Sequence, residues 1–358
     1  MASRLLSAPS AVDVDVLLNS DAGWRTMCRC YESMPQTSFL AFFWAWHTLV
    51  GGLFRTLSAP IPDARVYHAV STGYAGLVAA RATAQKGRPS IITEHGIYSS
   101  ERRIEILMAD WIVNSIDTGL DFSDDRDDVR EFWATSFESF ARIAYASASD
   151  VVALFPDNSA IQMAMGADPG TLSVIPNGVN LQRFAHLPQR EDPTPTIGFI
   201  GRVTPIKDVQ TFIDIAEMVS KQIGGLKALI IGPTDEDPDY AQACMDEVES
   251  RGLVGTIFFT GPVDIRDYLG QLDILVLTSI SEAQPLVVLE AGAAGVPCVT
   301  TDVGACRDII EGGGAGQRGG VVVPVGETAE MADEITALLR DHDRRRAYGA
   351  ALKARIER

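Results

Sequence analysis

Four residues of one stretch suit an anionic ligand that also carries hydroxyl groups. Gly201-Arg202-Val203-Thr204-Pro205-Ile206-Lys207 follows the β-branched run Thr196 to Ile200 and precedes an amphipathic segment, so a glycine turn leads from a strand into a helix with two cations five residues apart. A helix N-terminus offers free amide donors, and Arg202 and Lys207 can converge with them on a phosphate. Further on, Ser279-Ile280-Ser281-Glu282-Ala283-Gln284-Pro285-Leu286-Val287-Val288-Leu289-Glu290 follows another strand-like run. Pro285 suits the first turn of a helix, which leaves Glu282 in the loop at the helix mouth and puts Glu290 about a turn further in. Glu290 sits among Val288, Leu289 and Ala291, and a carboxylate in apolar company must be paired or bonded to ligand hydroxyls. A third place is Glu94-His95-Gly96-Ile97-Tyr98 after Ser90 to Thr93, an imidazole beside a glycine turn. A lone histidine fits a structural role equally well, and His68 in Val66-Tyr67-His68-Ala69 is weaker still.

These residues need a sheet to hold them. Short β-branched runs at Arg65 to Ala69, Ser90 to Glu94, Val151 to Phe155, Thr196 to Ile200, Ala228 to Ile231, Thr256 to Thr260, Ile274 to Thr278, Cys298 to Thr301 and Gly320 to Pro324 alternate with longer amphipathic segments. That rhythm predicts an α/β fold with parallel sheets, whose ligands bind at the carboxyl ends of the strands. After Lys207, Val209, Phe212, Ile213, Ala216 and Val219 recur at helical spacing and predict a helix covering a sheet. Leu187 to Thr196 (LPQREDPTPT) reads as an extended linker, placing one Rossmann-like domain over 1–190 and a second over 191–345, with 346–358 opening a last helix. The second domain reads as complete. The first is expected to be partial, because no strand with a glycine-rich loop precedes Arg65. The glycine-rich Glu311 to Gly320 lacks the Lys-Ser/Thr of a phosphate cradle and reads as a loop.

Composition narrows the ligand. The chain has 358 residues, 46% hydrophobic and 22% charged, with a net charge of −17, which excludes disorder and disfavours a nucleic-acid partner. Five cysteines without a C-x2-C pair suit a reducing compartment, and Met1 to Asp13 lacks the apolar core of a secretory signal, so a cytoplasmic protein is expected. The apolar run Phe39 to Phe54 falls short of the roughly 20 residues of a membrane span and reads as a buried helix. Cys28 and Cys30 complete no familiar metal spacing.

Glu282 and Glu290 form an E-x7-E pattern, preceded by Gly201-Arg202-x4-Lys207 and by Val174-Ile175-Pro176-Asn177-Gly178-Val179. Together these resemble the retaining glycosyltransferases of family 4, with the GT-B fold of two Rossmann-like domains facing a cleft. More narrowly, His68-Ala69-Val70-Ser71-Thr72-Gly73-Tyr74-Ala75-Gly76, Thr93-Glu94-His95-Gly96-Ile97-Tyr98 and Thr278 to Pro285 resemble the PelF-type enzymes of Pel exopolysaccharide synthesis. The resemblance implies a UDP-sugar donor, UDP-glucose above all, and transfer to a growing polysaccharide acceptor with retention at the anomeric carbon. It implies that Arg202 and Lys207 hold the diphosphate, Glu290 the ribose and Glu282 the donor sugar. Gly201, Pro285 and Leu286 belong to the same donor site, and His95 lines the facing domain near the transferred sugar. No cofactor or metal is implied beyond the donor, and partners would tether the enzyme at the inner membrane as part of a synthesis complex. Fixed cations and helix-end amides suit a departing diphosphate.

Two other readings fit parts of the pattern. A UDP-sugar 2-epimerase shares the architecture but not the E-x7-E and Asn177-Gly178 patterns, and a non-catalytic nucleotide-sugar-binding or assembly subunit would suit the missing ends. Asp235-Glu236-Asp237 spells the D-x-D of metal-dependent transferases, but it lies in a proline-bounded loop with no further oxygen ligands nearby.

Overall fold

The computed structural model describes residues 14–33, 38–108, 126–185, 187–188, 193–312 and 317–358. It divides into two compact units, Met1–Pro176 and Asn177–Arg358. Met1 to Asp13 and residues 313–316 of the glycine-rich stretch lie outside the described residues.

In the first unit, the stretch before the first strand is helical: α1 (Val14–Leu18), α2 (Asp21–Tyr31) and α3 (Phe39–Ser58). Ser20 caps α2 by accepting from the Gly23 amide at 3.0 Å. The apolar run of α3 is only half buried. Phe42, Ala45 and Leu49 recur at helical spacing on the side packed against the later helices of the unit, whereas Leu40 and Trp44 are 63% and 61% exposed. Among the described residues no helix is long and apolar enough to cross a membrane.

The sheet of this unit is parallel, with its strands in chain order: β1 (Tyr67–Ala69), β2 (Ser90–Glu94), β3 (Asp150–Ala153) and β4 (Leu172–Val174). The connections are α4 (Gly73–Lys86), then α5 (Tyr98–Met108) with α6 (Arg126–Ser147), then α7 (Pro156–Ala164). The three-residue β4 is too short to declare itself by periodicity and was not among the expected strands. The core between α3, α4, α5 and α6 is aromatic: Phe137 and Phe140 lie against Leu49, Leu77 and Ile106, with the Tyr74, Tyr98 and Trp133 rings 5.6–6.1 Å away.

The second unit is a six-stranded parallel sheet in the order β10-β9-β8-β5-β6-β7. Its strands are β5 (Thr196–Ile200), β6 (Lys227–Ile231), β7 (Ile257–Gly261), β8 (Ile274–Leu277), β9 (Cys298–Thr301) and β10 (Gly320–Val323). The connecting helices are α8 (Val209–Ser220), α9 (Pro238–Ser250), α10 (Arg266–Leu269), α11 (Leu286–Ala294) and α12 (Cys306–Glu311), followed by α13 (Thr328–Arg340) and α14 (His342–Ile356). Because helices cover both faces, β5 and β8 are buried at every position, which is why they read as continuous apolar runs. On α8 the expected stripe Val209, Phe212, Ile213, Ala216 and Val219 is fully buried, joined by Ile215.

The division between the units falls ahead of the 190/191 boundary expected from the proline-rich stretch, part of which lies outside the described residues. Asn177 and the short helical turn Leu181–Phe184 pack with the second unit: the Asn177 amide donates to Gln284 Oε1 at 2.6 Å and the turn lies against α11. The last helix, α14, packs on α11 and β10 within the same unit.

All five tryptophans fall in the first 133 residues, so their fluorescence reports the first unit. Phe137→Ala should cost that unit about 3–5 kcal/mol, the usual loss for a buried phenylalanine. Urea unfolding followed by tryptophan emission would show the midpoint fall, and an unchanged midpoint would mean the aromatic cluster is not the core of the unit.

Candidate active site

The strand order of the second unit reverses beside β5: one series runs β5-β6-β7 and the other β8-β9-β10. Loops leaving the carboxyl ends of β5 and β8 therefore part to opposite sides and open the crevice where doubly wound sheets take their ligands. Gly201, Arg202 and Lys207 lie on the first of these loops, and Glu282, Pro285 and Leu286 on the second. Backbone bonds sew the two together. The Ile280 amide donates to the Ile206 carbonyl at 3.0 Å, and Thr278 Oγ1 donates to the Lys207 carbonyl at 3.0 Å.

Lys207 and Glu282 meet across this seam, with Nζ 2.5 Å from Oε1 and side chains only 19% and 12% exposed. Ser279, wholly buried, donates its hydroxyl to the same oxygen at 2.7 Å, and its own carbonyl accepts from Thr301 Oγ1 at 2.7 Å. The Glu282–Ala283 peptide rests on the turn after β9, where Gly304 has φ +51° and an added Cβ would fall 2.1 Å from the Ala283 oxygen. On the other side Lys207 ends a short helical turn, and Asp208 takes the left-handed conformation (φ 48°) that turns the chain into α8. Asp208 also caps α8, accepting from the Thr211 amide at 3.3 Å and the Thr211 hydroxyl at 2.6 Å, which offsets the backbone strain. The close approach of the two backbones needs a glycine at 232: a Cβ there would come within 2.0 Å of the Gly201 carbonyl, whereas one on Gly201 would meet only the Phe199 ring at 3.3 Å.

Arg202 points elsewhere. Its guanidinium pairs with Glu236, both side chains about half exposed, so the two cations of the loop are held by different acids. That pair also occupies the middle of Asp235-Glu236-Asp237, and Asp237 caps α9 through the Tyr240 amide at 3.1 Å. Among the described residues no group of three or more His, Cys, Asp or Glu could hold a metal ion.

Glu290 lies on α11, one turn beyond Leu286, and Leu286 itself is half exposed at the helix start. Burial pushes the Glu290 carboxyl above its ordinary range, and Arg183 partly counters it. Arg183 belongs to the Leu181–Phe184 turn beside α11, and sequence reasoning missed it. Its only signal was its place four residues after the Asn177-Gly178-Val179 motif.

His95 belongs to the first unit, exposed at the end of β2, while His68 Nε2 on β1 lies 2.9 Å from Thr93 Oγ1. The neighbouring Glu94, also not singled out from sequence, is buried among donors from Thr72, Tyr98, Tyr145 and Gln162. Burial and then the Glu94 carboxylate raise the Tyr145 phenol well above its ordinary value.

Comparison with known proteins bears on the fold. Residues 194–341 match the family described as "Glycosyl transferases group 1", and residues 1–170 match a "Domain of unknown function (DUF3492)". Among solved structures the chain is similar to HepE of Anabaena in complex with UDP and glucose (TM-score 0.63, 19% identity, covering 82% of this chain and 73% of that one). It is likewise similar to sucrose-phosphate synthase of Thermosynechococcus elongatus (TM-score 0.64, 20% identity, 91% and 74% covered). The fold is that of GT-B glycosyltransferases, and the match to group 1 glycosyl transferases lies within the second unit. Curated relatives include a phosphatidyl-myo-inositol mannosyltransferase of Mycobacterium leprae, 33% identical over 186 residues (49% of this chain, 46% of the relative). A D-inositol 3-phosphate glycosyltransferase of Kineococcus radiotolerans is 29% identical over 213 residues (54% and 49%). The chain spans about half the length of these curated relatives.

Two stability predictions follow from the pairing. Lys207→Met should destabilise the second unit by about 1–3 kcal/mol because it leaves a largely buried carboxylate unpaired, and adding Glu282→Gln should restore part of that loss. Strict additivity in urea unfolding followed by circular dichroism would show that the two are not coupled. For Glu290, a raised carboxyl contributes stability at pH below the ordinary carboxylate value and loses it as pH rises through the raised one. Glu290→Gln should therefore be at least as stable as the parent at pH 7 and flatten the fall in stability above pH 4. A steeper fall in the variant would contradict the burial cause.

Proposed function

We propose that this chain is a glycosyltransferase whose second unit holds a nucleotide-sugar donor at the seam between the β5 and β8 loops. The observation that carries the reading is the Lys207–Glu282 pair at the point where the strand order reverses, with the half-buried Glu290 one helix turn beyond. A diphosphate entering there competes with Glu282 for Lys207. The displaced Glu282 carboxylate then faces the sugar hydroxyls, and Glu290, uncomfortable in its apolar setting, gains by accepting from the ribose hydroxyls. Lys207 stands where charge would build on the departing diphosphate, and Arg202 can join it on leaving Glu236, so the protein itself would supply the stabilisation that a metal ion otherwise provides.

The finer assignment rests on resemblance. The E-x7-E spacing and the Thr93–Tyr98 and Thr278–Pro285 motifs support a retaining, family 4, PelF-type enzyme that moves glucose from UDP-glucose to an exopolysaccharide, in the cytoplasm at a membrane-bound synthesis complex. Similarity in fold to HepE solved with UDP and glucose supports the same donor class. The curated relatives, named for inositol phosphate and mannosyl transfer, favour a second reading with another donor and a small polyol acceptor.

Calorimetric titration with UDP, UDP-glucose, GDP and GDP-mannose, with and without chelator, separates these readings, and labelled donor tests for transfer. UDP binding unaltered by chelator is expected, and binding only of guanine nucleotides would favour the mannosyl reading. Lys207→Ala should weaken UDP binding by about 1.5–3 kcal/mol, and Arg202→Ala by less, because Arg202 is half exposed and already paired. Glu290→Gln should impair UDP and UDP-sugar alike, whereas Glu282→Gln should penalise the sugar-bearing donor and spare UDP. Equal effects of both changes on UDP alone would remove the division of roles.

A further inference from the structure

The first unit holds a carboxylate that donor binding does not use. Glu94, the last residue of β2, is 1% exposed, and its two oxygens accept from four separate segments. Oε1 accepts from Thr72 Oγ1 at 2.9 Å and from the Tyr98 amide at 3.2 Å, while Oε2 accepts from Gln162 Nε2 at 3.1 Å and from the Tyr145 hydroxyl. All four donors are neutral, and they come from the mouth of α4, the start of α5, α6 and α7. Thr72 stands in the cap position of α4 yet makes no capping bond with its side chain, giving its hydroxyl to Glu94 instead. Glu94 in turn serves the first amide of α5 as a capping residue would, with its negative charge at the positive end of that helix.

The consequence falls on His95. The turn from β2 into α5 is only His95, Gly96 and Ile97. Its start is fixed by the pairing of β2 with β3, in which Glu94 stands opposite Ala153, and its end by the Tyr98 amide bonded back to the Glu94 side chain. We infer that Glu94 is a positioning residue: braced by Tyr145, Gln162 and Thr72, it closes the ring that presents the exposed His95 imidazole. It acts through His95 and touches no ligand itself. The kinetic consequence rests on the transferase reading above, but the positioning does not.

Glu94→Gln is a mild probe. Its oxygen can still accept from Thr72 and the Tyr98 amide, while its nitrogen can donate to the Tyr145 oxygen and, once the Gln162 amide turns over, to Gln162 Oε1, which is otherwise without a partner among the described residues. Those bonds lose their charge assistance and so weaken. Tyr145→Phe removes one brace and leaves the carboxylate its other three donors. With the histidines isotope-labelled and the His95 imidazole signal assigned by its loss in His95→Ala, both variants should shift or broaden that signal and leave His342 unmoved. In transfer assays both should lower kcat by on the order of tenfold with UDP affinity unchanged, since misplacement of about 1 Å is enough for such a loss. Combined with His95→Ala, neither should add a further loss. An unmoved His95 signal in both variants would overturn the inference, as would losses that multiply with His95→Ala. If the parent transfers no sugar, the transferase reading falls, and the imidazole signals still decide whether Glu94 holds His95.

Discussion

The second unit is organised around the seam between the loops that leave β5 and β8. Two adjacent parallel strands send their connections to opposite sides, and the gap this leaves would expose unpaired backbone and charge. Ile280 N–H to Ile206 O and Thr278 Oγ1 to Lys207 O close it from the backbone side, and the Lys207–Glu282 pair closes it from the side chains. Everything around the seam supports those few bonds. Ser279 and Thr301 hold Glu282 from below, Gly304 lets its peptide settle on the next turn, and the left-handed Asp208 ends the cation loop where α8 must begin.

On the donor-site reading proposed above, a chain with a net charge of −17 has to attract an anion. The field of the whole molecule repels a diphosphate, so attraction must come from a few cations held in a low-dielectric crevice, where Coulomb interactions are stronger than in water. Lys207 is the candidate for that role, held in place by burial and Glu282. Arg202, half exposed and paired with Glu236, is on the same reading the weaker and more adaptable candidate. Glu290 shows the complementary cost: a carboxylate raised by burial is unfavourable by itself, and on the proposed reading a ligand hydroxyl would satisfy it.

The first unit solves a different problem by similar means. Its four-stranded sheet is small, and its helices are tied at the carboxyl edge by the buried Glu94 and on the far side by an aromatic core around Phe137. Its helical beginning also buries one face of the apolar α3 and leaves Leu40 and Trp44 outside. Hydropathy alone reads such a run as uniformly interior, because it registers composition and not which side a neighbouring helix will cover.

The sequence by itself determined the parallel α/β architecture and all six strands of the second unit, because strands buried on both faces must be apolar throughout and helices between them must carry a 3.6-residue stripe. It also singled out Gly201–Lys207 and Glu282–Glu290 as candidates, which the fold brings to neighbouring strand ends, since glycine turns and isolated charges at such ends are not explained by periodicity. Tertiary structure alone decided the partners. Nothing in the spacing of Arg202 and Lys207 says that one pairs with Glu236 and the other with Glu282, since those acids arrive from 34 and 75 residues away. Arg183 near Glu290, and Glu94 among four donors, are likewise invisible along the chain: hydrogen bonds and burial depend on distances that only the folded sheet sets.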